Sequence, residues 1–280
     1  AVEALIAQKE IAAGVVLVHH KGRTIHFTAH GQRDVRRRSP IAKDSLFRIY
    51  SMTKPITSVA VLMLADAGRL GLDDPIEQHL PEFAPVEVLD NGRRVTPQQK
   101  ITIRHLLTHT AGLTYGFFGD SAVDRLYKSA HPLFSRDNRE MVGKLARHPL
   151  LFHPGERWHY SIATDVLGHL VERVSGQPLG AFFAERIFAP LGMKDTAFFV
   201  TADRLERFAS HYGPKLTVHE AYDKSPYRDP KRLQSGGGGL VSTAGDYLRF
   251  CRMLLGEGAL DGVRLLKPET VKALRRNLLP

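Results

Sequence analysis

The order in which hydrophobic periodicities change along the chain constrains its fold more than any other feature. Residues 14–19 are a short β-branched run and residues 24–28 alternate again, with Lys21-Gly22 as a turn between them. This pattern predicts a β-hairpin, preceded by an amphipathic helix over residues 1–12. From residue 55 the period becomes helical: Val59, Leu62, Met63 and Leu64 form an apolar stripe, and Gly68 lies near its end. Residues 73–100 are punctuated by Pro75, Pro81, Pro85 and Pro97 and predict loops. Thr102 is expected to cap a short helix through Leu107. Residues 115–150 are weakly patterned but mostly helical. Stronger helices are expected over Thr164–Ser175, ended by Gly176, and over Leu179–Phe188, stopped by Pro190. Residues 212–234 read as an extended loop. Ser235-Gly-Gly-Gly-Gly239 follows. Thr243-Ala-Gly-Asp246 then has capping-box spacing, with Asp in place of Glu, and opens a helix over 246–255. Strands come first, then a long helical middle, then a glycine-rich return. The order predicts an α/β lobe, residues 1–75 with 235–280, carrying an inserted, mainly helical lobe over 76–234. No internal repeat is visible.

The chain is long enough, at 280 residues, to bury a sizeable core. Its single cysteine, Cys251, excludes an intramolecular disulfide and a Cys-rich zinc site. No apolar run reaches the roughly 18 residues of a membrane span. The N-terminal AVEALIAQKE shows no signal-peptide pattern, so a cytoplasmic location is expected. It also lacks Met, so the natural N-terminus is expected further upstream. The net charge of +10 invites a nucleic-acid reading. The one dense cluster, Arg33, Arg36, Arg37 and Arg38, contains Asp34 and comes with no nucleic-acid-binding motif. We therefore expect a solvated basic face and no nucleic-acid partner.

The residues that could carry chemistry begin at Ser51 and Lys54. Three apart on a helix, they share a face. A neighbouring lysine that loses its proton could accept the one from serine and make the hydroxyl nucleophilic. Pro55 fits a helix start, where the first N–H groups have no intrahelical partner to lose. Ser51 would then sit at the positive end of the helix. Spacing alone is weak. With 13 serines and 13 lysines in 280 residues, about 0.6 such pairs arise by chance. On spacing alone, a capping serine followed by a surface lysine is the favoured reading of the pair. Among the 14 histidines, His105 and His109 are four apart, but Leu106 stands where a metalloprotease would need Glu. No Gly-x-Ser-x-Gly elbow and no P-loop is present.

Several stretches together resemble one family. Ser51-Met-Thr-Lys54-Pro is followed by an apolar helix and Gly68-Arg-Leu-Gly-Leu-Asp73-Asp-Pro75. Later come Leu106-Leu-Thr-His109-Thr-Ala-Gly-Leu113, His153-Pro-Gly-Glu156-Arg-Trp-His-Tyr160-Ser161, Glu185-Arg-Ile-Phe-Ala-Pro190-Leu-Gly-Met193 and Ser235-Gly-Gly-Gly-Gly-Leu240-Val-Ser-Thr243. In this order they resemble the serine β-lactamase and penicillin-binding-protein superfamily, in which Ser-x-x-Lys is the nucleophile motif. The resemblance is closest to its class C branch, and within that to the family VIII carboxylesterases. It implies an α/β (α+β) fold, an antiparallel sheet flanked by helices, over a single domain spanning 1–280. By resemblance Ser51 is the acylated nucleophile, Lys54 its partner, and Tyr160 the second-motif tyrosine that shares the base role. Tyr115 and Trp158 are expected to line an acyl pocket, with core packing as the other reading of Trp158. Gly237 is expected in a tight loop at the cleft, and His109 in a structural role near it.

Two departures from the family's pattern sharpen the expectation. The β-lactamases carry Tyr-x-Asn, whose amide holds the substrate's acylamino group. Here the third residue is Ile162, which offers no hydrogen bond. That tilts the reading at this subsite toward ester substrates, with short-chain or unhindered esters expected. The third motif, a late strand of Lys-Thr-Gly, His-x-Gly or Trp-Gly-Gly type, has no match before Pro280. The C-terminal strands are therefore expected to be absent, leaving an open sheet edge beside Ser51. No metal or organic cofactor is implied. The expected partner is a small-molecule ester. β-Lactamase, peptidase, amide hydrolase and acyltransferase activities remain the alternatives on the same site. A non-catalytic scaffold is a further reading.

Overall fold

A computed structural model describes residues 1–280. In chain order, helix α1 (Val2–Ala7) leads into the hairpin of β1 (Ala13–His20) and β2 (Arg23–Asp34), then short β3 (Ser39–Pro40) and β4 (Phe47–Arg48). Helix α2 (Thr53–Asp66) follows a 3-10 turn over Tyr50–Met52. The ribbon β5 (Val88–Asp90) and β6 (Arg93–Val95) precedes α3 (Ile103–Leu107), α4 (Ala122–Ala130), α5 (Asn138–Leu145), α6 (Ala163–Ser175), α7 (Leu179–Phe183) and α8 (Ala189–Leu191). The chain returns through β7 (His211–Tyr212), β8 (Val218–Glu220), β9 (Val241–Ser242), α9 (Ala244–Leu255), β10 (Ala259–Leu260), β11 (Val263–Arg264) and α10 (Pro268–Ala273). This is an α/β fold of antiparallel sheets flanked by helices, with a helical insertion.

The sequence signals act as local physics directs. Lys21 and Gly22, at φ of +47° and +79°, close the β1–β2 hairpin through the left-handed region that such turns need. Thr102 accepts from His105 N–H at the start of α3, and Gly176 ends α6 in the left-handed conformation. Thr243 accepts from Asp246 N–H, but the box is not reciprocal. The Asp246 carboxylate turns away to Asp195 N–H and Thr196 Oγ1, and α9 starts at Ala244 rather than at residue 246.

Several expectations change. Helix α1 ends at Ala7 rather than at residue 12, and the loops expected over 73–100 hold the paired β5 and β6. Pro190 does not stop the helix of 179–188. The turn over Ala184–Phe188 widens to π geometry and the helical path continues through Pro190 to Leu191. A wider turn relieves the clash a proline ring makes with the preceding carbonyl, and Gly192 ends the segment instead. Residues 212–234 are not a featureless loop, since β7 and β8 pair within them. The arginine cluster is a solvated face only in part: Arg36, Arg37 and Arg38 are exposed, but Arg33 is not. Arg33 is buried, pairs with Glu206 and lies 4.9 Å from the Tyr222 ring, while Arg37 bonds Tyr222 and Asp223. The cluster fastens β2 to the 206–223 segment. Finally, β1 pairs with β2 alone, so its other edge is open. The strand leading into Ser51 is instead occupied: β4 pairs with β9, and Leu46 bridges to Phe208.

The main core gathers around α2 and α6. Ile56, Val59, Ala60 and Val61 of α2 meet Val166, Leu167, Leu170 and Val171 of α6, all essentially inaccessible to solvent. Burying such side chains contributes about 1.5–3 kcal/mol each and fixes the two helices relative to one another. A smaller cluster of Leu46, Phe208, Tyr222, Tyr227 and Val241 backs β4 and β9. No helix is long and apolar enough to cross a membrane.

Candidate active site

Ser51 lies in the 3-10 turn that runs into α2. The residue before it, Tyr50, has φ of +42°, a left-handed conformation that costs a bulky side chain strain. Lys54 and Pro55 fall in the first turn of α2, where the missing proline N–H leaves no bond unmade. This helix start places Lys54 Nζ 3.2 Å from Ser51 Oγ, to which it donates. From 109 residues away, Tyr160 shares a 2.6 Å hydrogen bond between its hydroxyl and Ser51 Oγ. The Lys54 ammonium also lies 4.8 Å from the Tyr160 ring centre. The residues named from sequence as the nucleophile and its proton-transfer pair thus converge.

The glycine-rich return is bound edge-on to α2. Thr53 Oγ1 accepts from Leu240 N–H, Lys54 Nζ donates to Gly237 O at 2.7 Å, and Thr57 Oγ1 donates to Gly236 O at 2.7 Å. Approach this close excludes side chains. A Cβ on Gly237 would fall 2.2 Å from Asp165 Oδ2, and one on Gly236 2.8 Å from Thr164 O. Gly237 is therefore at the cleft, as expected, and its carbonyl touches the lysine.

Tyr115 lines the cavity, as expected, and also reaches into the polar centre of the site. Its hydroxyl accepts from Lys54 Nζ at 3.0 Å and donates to Asp165 Oδ2 at 3.4 Å. Burial first, and the Asp165 charge second, push its pKa far upward, so it remains a neutral phenol. His109 holds the other side of Tyr160. Its ring centre is 5.1 Å from that of Tyr160, and its Nδ1 accepts from Ser161 N–H at 3.3 Å. Burial, then the charges of Lys54 and His159, lower its pKa to about 4, so the ring is neutral near neutral pH.

Two expected substrate contacts move. Ile162 is completely buried in the main core beneath Tyr160 and presents no surface to a substrate. Trp158 is 53% exposed, which rules out core packing. Its ring lies 6.4 Å from Tyr160, at the rim and outside the cavity lining. The cavity itself, about 370 Å³, opens over Ser51 and Tyr160. Its apolar wall comes from Tyr115, Phe117, Phe118 and Leu133, and Arg232 and Tyr227 stand across it. Phe117 stacks on Tyr115 at 5.1 Å and Phe118 lies 5.8 Å from Tyr160. Sequence reasoning did not single out Phe117 and Phe118; their signal was a Phe-Phe pair between two glycines. Asp165 left a weaker signal, because an acidic residue in a helix's first turn is ordinary.

The profile of the Beta-lactamase family matches residues 1–280 in full. The chain belongs to the Beta-lactamase family. Among its relatives is the Mycobacterium tuberculosis protein Rv1367c, 41% identical over 96% of this chain and 68% of that protein. Esterase EstB of Burkholderia gladioli is 37% identical over 97% of this chain and 71% of that protein. Among solved structures, EstCE1, described as a hydrolase with promiscuous acyltransferase activity, superposes with a TM-score of 0.84. It is 31% identical, over 98% of this chain and 74% of that one. Family members similar to this chain thus include esterases and acyltransferases.

Proposed function

We propose that the chain carries the active site of a serine carboxylesterase of the family VIII type. The observation that carries the reading is the convergence on Ser51 Oγ of Tyr160 Oη at 2.6 Å and Lys54 Nζ at 3.2 Å. Ser51 Oγ attacks the ester carbonyl and its proton passes to the Tyr160–Lys54 pair. The tetrahedral oxyanion is stabilised by the Ser51 N–H at the positive end of α2. Its collapse breaks the C–O bond, and the leaving alkoxide takes the proton from the pair. A water then gives a proton to the same pair, its oxygen attacks the acyl-enzyme, and the acid departs as Ser51 regains its hydrogen.

Two features favour an ester over a lactam. The side chain two residues after Tyr160 is a buried isoleucine, not an amide facing the cleft. The wall of Phe117, Phe118 and Leu133 suits an apolar acyl or alcohol group. The kinship with EstB and EstCE1 supports the same reading, and EstCE1 gives a second one: transfer of the acyl group to an alcohol in place of water.

The test is incubation with p-nitrophenyl butyrate, with intact mass and peptide mapping for an acyl group on Ser51. Ser51→Ala is expected to carry no adduct, and Tyr160→Phe to lower kcat by ~10² or more, the usual scale of general acid–base catalysis. Rapid nitrocefin hydrolysis with no ester turnover would sink the esterase reading. An alkyl butyrate formed on adding an alcohol would establish acyl transfer.

A further inference from the structure

We propose that Asp165 is a positioning residue for the Ser51 site, its carboxylate fixing the two acceptors that hold the Lys54 ammonium against Ser51. The inference rests on the esterase reading above. Lys54 Nζ has three hydrogens and three acceptors: Ser51 Oγ, Tyr115 Oη and Gly237 O. Two of these three are bonded to Asp165. Tyr115 O–H donates to Oδ2 at 3.4 Å and Gly237 N–H to Oδ1 at 3.1 Å. The Ser235 hydroxyl also donates to Oδ1, anchoring the near end of the same loop. One carboxylate therefore ties the α6 start, the Tyr115 segment and the glycine return around the lysine.

The chemistry of the group decides what this does. An ionised carboxylate only accepts, and Asp165 receives three donors on its two oxygens. Tyr115 has one hydroxyl proton. While that proton points at Asp165, the phenol oxygen offers lone pairs to Lys54. The chain thus runs one way, from ammonium to phenol to carboxylate. Two N–H groups of Lys54 are committed to fixed acceptors, and the third is aimed at Ser51 Oγ. A neutral amide at 165 that donates to the tyrosine takes up a phenol lone pair and frees the phenol proton to turn toward the ammonium, which cannot accept it, so the orientation of Lys54 is no longer fixed. Asp165 sits in the first turn of a 13-residue helix, where the dipole favours its charge. It is completely buried, which favours its neutral form, and the bonds from Ser235, Gly237 and Tyr115 with the Lys54 charge oppose that.

The test compares wild type, Asp165→Asn, Tyr115→Phe and the double variant in the full chain. It reads the rate of Ser51 acylation by p-nitrophenyl butyrate, kcat, KM and Tm. Asp165→Asn is expected to lower acylation and kcat by ~10²-fold with KM within about threefold, as misorientation of a catalytic group does. Tyr115→Phe breaks the same chain while leaving Asp165 bonded to Ser235 and Gly237. It is expected to lose a similar factor with Tm near wild type, and the double variant to be no slower than the slower single one. Undiminished acylation in Asp165→Asn, or wild-type kcat in Tyr115→Phe, would overturn the inference alone. A loss confined to KM, or full additivity of the two changes, would overturn it too. If Asp165→Asn does not fold, Tyr115→Phe decides. No Ser51 adduct in the wild type would overturn the esterase reading, and this inference with it.

Discussion

At the scale of single residues, the groups hydrogen-bonded around Ser51 are distinct from the aromatic side chains that wall the cavity above it. Phe118 is 64% exposed, yet packs at 4.5 Å on Phe117 and at 5.8 Å on Tyr160. Solvent-facing aromatic surface over a cavity binds apolar substrate groups and leaves the core undisturbed. Phe118→Ala is therefore expected to raise KM for p-nitrophenyl octanoate by roughly tenfold, about the worth of a lost aromatic contact, while kcat for the acetate ester changes little. Equal effects on both esters would contradict this. Ser51, Lys54 and Tyr160 were legible in the sequence only as parts of quoted motifs. The spacing of Ser51 and Lys54 also fitted chance, and nothing in the 109-position separation of Ser51 and Tyr160 encodes their contact. Ile162 shows the opposite error: motif position predicted a substrate contact, but an apolar side chain at a helix start turns inward. Of the two aromatic residues expected to line the pocket, Tyr115 does and Trp158 stands outside at the rim. Burial is decided by the whole packing, and aromatic residues serve equally as rim or interior.

At the scale of elements, the helix starts and the glycine return were readable because their signals are local. Thr102, Thr243, Pro55 and Gly176 each act within one turn of themselves. The π-widened turn before Pro190 was not, because a proline's usual effect can be absorbed by a geometry that only tertiary packing selects. The glycines of 236–239 make their case by distance. Gly237→Ala would drive a Cβ to 2.2 Å from Asp165 Oδ2 and 2.9 Å from Tyr115 Oη. The expected cost is about 1–3 kcal/mol of stability, as for other overpacked sites. Loss of Ser51 acylation should accompany it, because the loop carries the Lys54 acceptor. Chemical denaturation and ester turnover measured on one preparation check both. A fully active, equally stable Gly237→Ala would refute the close-packed reading of this loop.

At the scale of the whole molecule, the titrating groups point one way. Burial is the first cause that lowers the pKa of His105, His109, His148 and His211 below the ordinary histidine value. The unfolded chain then binds more protons than the fold once pH drops below about 6.5. Each such histidine adds stability above that pH that is lost as pH falls toward its folded pKa, which for His109 is about 4. Asp73, held by Arg104, and Asp195, held by Arg207, are shifted down and lose their contribution at still lower pH. Asp165 and Asp246, raised first by burial, act in the opposite sense. The net charge of +10 grows as carboxylates protonate and adds self-repulsion. Tm is therefore expected to fall steadily between pH 6.5 and 4 in calorimetry, and His109→Gln to fall less steeply over that interval. A Tm independent of pH across it would contradict the reading. The overall α/β arrangement, with its helical insertion, was legible from the order of periodicities. The pairing of β4 with β9 was not, because two-residue strands carry no period.

That pairing has a consequence in time. The bonds that surround Ser51 join Lys54 to Gly237 and Thr53 to Leu240, across 183 and 187 residues of chain. Closing such long loops is entropically costly until most other contacts already stand. During synthesis from the N-terminus, the hydroxyl therefore emerges early and waits. Its lysine gains a full set of acceptors only when the glycine return arrives, so the hydrogen-bonded setting of Ser51 stays unfinished until residues 237–240 have been made.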